Sequence, residues 1–146
     1  MQSKLVWESR GERTFVLVLD AGEEAFQAIS AFGAETGLTA ASFTALGAFE
    51  RVTVGWFDLK AKKYRPIDID EQCEGLSLVG DIAIGDDGKP SLHMHAVVGL
   101  QDGSVRGGHF LSGIVRPTLE VTIVETPAHL RRRKRPELGI ALIDLE

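Results

Sequence analysis

Three of the four histidines in this 146-residue chain, His93, His95 and His109, stand within seventeen positions. Neutral imidazoles suit divalent metals, and three of them on one zinc ion leave a fourth position for water or a substrate atom. The residues between them decide whether they meet. His93 and His95 are two apart in SLHMHAVVG, which reads as a β-strand, so they share a face while Leu92, Met94, Ala96 and Val98 line the other. Asp102-Gly103 marks a hairpin turn. With a two-residue loop, His95 opposes Phe110 and His109 points to the wrong side. A three-residue loop, or one bulge, puts His109 across from His95. Gly107-Gly108 is the expected bulge site, because glycine adopts unusual backbone angles without steric cost. Histidines so spaced also serve as plain hydrogen-bonding groups in subunit interfaces, and spacing leaves both readings open.

Other residues bear on the same chemistry. Glu120, on a neighbouring predicted strand, is a candidate fourth or outer ligand and the candidate general base. No glutamate follows the His-x-His pair as in a cupin-like site, and no His-Glu-x-x-His is present. Cys73 is the single cysteine, so an internal disulfide is excluded. Arg131, Arg132, Arg133, Lys134 and Arg135 are five consecutive cations. They are candidate phosphate or nucleic-acid contacts, against the alternative of a solvated loop paired with acidic surface. Net charge is −5, so the chain without this run carries −10, which opposes a sequence-independent nucleic-acid binder. No aromatic residue interleaves with the cations, so no stacking surface for single strands is implied.

The elements that position these residues are mostly strands. One domain over residues 1–146 is expected from length, with 44% apolar and 25% charged residues. Residues 14–19, TFVLVL, read as a strand. Residues 20–36 change to helical spacing, with an Asp20/Glu23 capping box and Gly37 as the stop. Strands are then predicted at 40–49 and 51–58 (one long or two consecutive), 64–69, 75–84, 91–100, 104–111, 118–125 and 140–143. Pro66 marks the 64–69 strand as an edge. One main helix and seven or eight strands, with little room for crossover helices, predict a mostly antiparallel α+β fold. No segment is apolar enough to span a bilayer and the charged start lacks a signal-peptide core, so a cytoplasmic protein is expected.

His-Met-His at 93–95, Asp-Gly at 102–103, Gly-Gly-His at 107–109 and Thr-Leu-Glu-Val at 118–121 together resemble the PPC (plants and prokaryotes conserved) domain, in order and in spacing. The resemblance extends over about residues 10–145 and includes GLSLVGDI at 75–82. It implies an antiparallel α+β fold, assembly as a homotrimer, and a DNA-binding or regulatory role by association with plant members that carry an AT-hook. The chain has no Arg-Gly-Arg-Pro of that type. It also implies a metal on His93, His95 and His109, for which the imidazole donors themselves make zinc the leading candidate. The alternative is a metal-dependent enzyme acting on a small anionic molecule, with Glu120 as base.

Overall fold

A computed structural model describes residues 1–146. In chain order the elements are β1 (Gln2–Ser9), β2 (Glu12–Asp20), α1 (Ala25–Thr36), β3 (Ala40–Asp58), β4 (Lys63–Ile69), β5 (Cys73–Ile84), β6 (Pro90–Gly99), β7 (Val105–Glu125), β8 (Arg131–Arg135) and β9 (Ile140–Asp144). All named strand pairs are antiparallel except the single-residue contact of β5 with β8. The α+β expectation holds. No helix is long and apolar enough to cross a membrane.

The strand count is nine rather than seven or eight. β1 was not legible because every residue in it is exposed, so no hydrophobic alternation marks it, and only its ladder to β2 defines it. The basic run, read as a loop, is β8, held in a hairpin with β9. Residues 104–111 and 118–125, read as separate strands, belong to the continuous β7. Pro66 does lie on an edge: β4 pairs with β3 alone.

The helix starts later than the capping box suggests. Asp20 ends β2, and Gly22 at φ +90° keeps the chain out of helical geometry. The Asp20 N–H does donate to Glu23 Oε2 at 2.7 Å, but in the turn before the helix. Glu24 is the cap, accepting from the N–H groups of Phe26 and Gln27. Gly37 ends the helix at φ +67°, as expected. Ala25, Ile29, Phe32 and Gly33 bury one face of α1 against a core that includes Phe15, Leu17, Phe43, Ile82 and Ile123.

The long strands close the sheet. β3 pairs with β5 and β7, β5 with β6, and β6 with β7, a complete circuit of four strands. β3 bends to serve several neighbours, and its register shifts between Ala45 and Gly47. A Cβ on Gly47 would run into the Thr118 carbonyl oxygen and lie 2.7 Å from Leu119 Cα. Both obstacles are backbone and cannot rotate away. Gly47→Ala is therefore expected to destabilise the fold by about 3 kcal/mol, lowering the melting temperature by roughly 6–12 °C. Calorimetry of the two proteins checks this; an unchanged melting temperature contradicts the packing described.

Candidate metal centre

The turn between β6 and β7 sets the geometry. Leu100 N–H donates to the Ser104 carbonyl and Gly103 N–H to the Leu100 carbonyl, each at 2.9 Å, which leaves a three-residue loop of Gln101, Asp102 and Gly103. Gly103 sits at φ +81°, a conformation that favours glycine. Asp102 Oδ1 accepts from both the Ser104 N–H and hydroxyl, which closes the loop. The extra residue needed to bring His109 onto the right face is thus in the turn. Gly107-Gly108 is not the bulge that the sequence suggested: the ladder runs unbroken through Val97–Gly107 and Ala96–Gly108 to His95–His109. The glycine pair instead permits close backbone approach. A Cβ on Gly108 would lie 2.7 Å from the Gly55 carbonyl oxygen, and one on Gly107 2.9 Å from that of Ala96.

His95 and His109 are direct cross-strand partners, with His93 two residues along the same face. The three ring centroids are 5.0, 5.1 and 5.3 Å apart. One nitrogen from each ring lies within 4.8 Å of the others. Tyr64, on β4, stacks on His109 at 4.4 Å and 17°. It reaches across β3 because position 55 is glycine: a Cβ there would lie 2.9 Å from Tyr64 Cδ1.

Burial pushes the His109 imidazole down to about 4, with further lowering from His93, His95 and Arg132. His95 is also lowered, by burial first and then by His93. Both rings are therefore neutral at pH 7, the form in which an imidazole nitrogen carries a lone pair for a metal. Nδ1 of His109 is buried and has no hydrogen-bond partner. Burying a polar atom without a partner is costly, and a cation shared by three imidazoles would satisfy it. The donor set, three nitrogens and no thiolate, fits zinc and its neighbours in the transition series.

Two contacts beside the cluster escaped the sequence reading, in which Asp81 is no candidate and Arg132 is only a phosphate or nucleic-acid contact. Asp81, the cross-strand partner of His93, places Oδ2 3.5 Å from His93 Nδ1. Its other oxygen is held by Arg132. No local motif signals either contact, since they join β5, β6 and β8.

The remaining candidates lie elsewhere. Glu120 is exposed, pairs in the sheet with Val18 and Leu46, and sits eleven residues along β7 from His109. The structure does not bring it to the histidines. In the basic run the charges are largely committed: Arg132 to Asp81, and Arg133 and Arg135 to Asp144. Arg131 and Lys134 are exposed and make no ion pair. Arg116 reaches Glu50 at 3.4 Å.

Among solved structures, the chain is similar to a metal-containing protein of Archaeoglobus fulgidus, with 33% identity over 94% of this chain and 96% of that one and a TM-score of 0.82. It is similar to a plant- and prokaryote-conserved protein of Pyrococcus horikoshii, with 29% identity, coverage of 90% and 91%, and a TM-score of 0.84. It is also similar to a Bacteroides thetaiotaomicron protein named "putative dna binding protein", with 28% identity, coverage of 94% on both sides and a TM-score of 0.84. No match was found among the curated proteins. The sequence profile of the Plants and Prokaryotes Conserved (PCC) domain, the same family as the PPC domain, matches residues 7–127. With the helix, the antiparallel sheet and the histidine hairpin all in place, the chain belongs to the plants and prokaryotes conserved domain family.

Proposed function

We propose that this protein is a homotrimeric metal-binding member of its family, holding one divalent cation, zinc foremost, per chain on His93, His95 and His109. The observation that carries the reading is the convergence of three imidazole nitrogens within 4.8 Å, one ring of which buries an unpartnered nitrogen. The metal-containing relative at 33% identity supports it. A divalent cation there would supply Lewis acidity and an open position for water or an anionic ligand. The chain's own residues supply orientation: the β6–β7 ladder sets the spacing of the rings, and Tyr64 holds the plane of His109. With Glu120 remote, the cluster has ligands in place but lacks the general base that the enzyme alternative assigned to it.

Protein purified without a histidine tag is expected to contain close to one metal ion per chain, and His93→Ala/His95→Ala to contain almost none. Equal metal content in both proteins rejects the site. Light scattering is expected to give three times the chain mass in both, because the variant leaves the fold intact; a monomer at micromolar concentration rejects the assembly.

Acid acts on the same residues with a definite sign. Between the ordinary histidine value of 6.5 and about 4, unfolded His109 binds a proton that the folded residue refuses. The metal-free protein thus loses stability as pH falls through that window, and this contribution levels off below it. Urea midpoints measured from pH 7.5 to 4 are expected to show the loss, and His109→Gln to flatten it. Identical profiles would remove His109 as the cause.

A second reading, DNA binding, is favoured by the name of the Bacteroides relative and by the exposed, unpaired Arg131 and Lys134 on β8. If the two unpaired cations of this run, six per trimer, make the phosphate contacts, log K depends on log salt with a slope near −5. Arg131→Ser/Lys134→Ser is expected to abolish that dependence. Failure of the wild-type protein to bind duplex at 50 mM salt rejects the reading.

A further inference from the structure

We propose that Asp81 and Arg132 are positioning residues for the histidine cluster. Arg132 fixes the Asp81 carboxylate, and Asp81 draws the Nδ1–H of His93 toward itself, which leaves Nε2 as the ligating atom. The inference deepens the metal-binding reading and rests on it for one of its two tests.

Arg132 is the buried member of the basic run. Its side chain is 7% exposed, although its neighbours in the run are solvated. A buried guanidinium is costly unless an anion compensates it. The compensating anion is Asp81, which accepts from Nη2, while Nε has no partner. An apolar side chain would cover this part of the sheet without that cost. The cation therefore calls for an account through what it holds.

What it holds stands directly behind a histidine of the cluster. Asp81 and His93 are partners in the β5–β6 ladder. β8 is joined to the end of β5 through Ile84 N–H, which donates to the Leu130 carbonyl at 2.8 Å, so Arg132 emerges just beyond that end and reaches back to Asp81. One carboxylate oxygen goes to Arg132 and the other faces His93 Nδ1 at 3.5 Å. That separation exceeds a formed hydrogen bond. The His93 ring is about one third exposed and so has room to turn toward Asp81. Histidine ligands commonly donate their second N–H to a carboxylate, which fixes the tautomer and raises the basicity of the ligating nitrogen.

The rival account is an ion pair that only ties β8 to β5. Two variants and two measurements separate the accounts. Asp81→Asn weakens the hold on His93 but strands the buried Arg132. Asp81→Leu/Arg132→Met removes both charges together and so leaves no unpaired charge buried. The first measurement is the nitrogen NMR spectrum of the imidazoles in metal-free protein at pH 7.5. His93 is expected as the Nδ1–H tautomer in the wild type and to lose that preference in both variants, with His95 and His109 unchanged. The second is zinc affinity by competition with a chelator, expected to weaken by about 10–100-fold in both variants. A folded double variant with wild-type tautomer and wild-type zinc affinity overturns the proposal and leaves the metal site standing. A tautomer shift in a protein that takes up no zinc supports the hold of Asp81 on His93 and rejects the metal reading alone.

Discussion

The arrangement of the site depends on a closed circuit of backbone hydrogen bonds through β3, β5, β6 and β7. In an open sheet a strand can slip by one residue and turn every side chain over. Here β6 is held on both edges, by β5 and by β7, and β7 is held in turn by β3 and β2. A slip that carried His109 to the inner face would have to break several ladders at once. It would also bury the imidazole among Met94, Ala96, Val98 and Phe110, which fill the core. The apolar face of β6 thereby enforces the position of the polar one.

Closure also explains the glycines around the histidines. Where the four strands of the circuit meet, Gly55, Gly107 and Gly108 stand at points where neighbouring atoms leave no room for a Cβ. Gly55 has a second use, because the missing side chain is the space through which Tyr64 meets His109. Packing and site geometry are one requirement at these positions.

The electrostatics divide the molecule differently from its sequence. Five adjacent cations suggest a single basic patch, but the strand geometry of β8 sends them in different directions and gives three of them acidic partners. Arg132 leaves the surface altogether and becomes part of the surroundings of the histidines. What this run leaves for a polyanion is two charges per chain rather than five.

Much of this was legible in the chain itself. The apolar alternation of β2, β5 and β6, the stop at Gly37 and the edge role of Pro66 are local consequences of side-chain type. So is the shared face of His93 and His95, since strand parity is a property of the backbone. β1 was not legible, because a strand with no buried side chain leaves no hydrophobic period. Whether His109 joined its neighbours hinged on where one extra residue went. Both the turn and Gly107-Gly108 were chemically able to take it, and only the competition among the β3, β6 and β7 ladders decided for the turn. Asp81, Arg132 and Tyr64 lie outside the reach of any sequence pattern, because they meet the histidines across strands that are distant in the chain. The sequence by itself determined which residues were able to act as ligands and the face on which two of them lie. The tertiary structure decided that the third converges with them and what surrounds all three, because long-range strand pairing, and not local propensity, sets distances between segments.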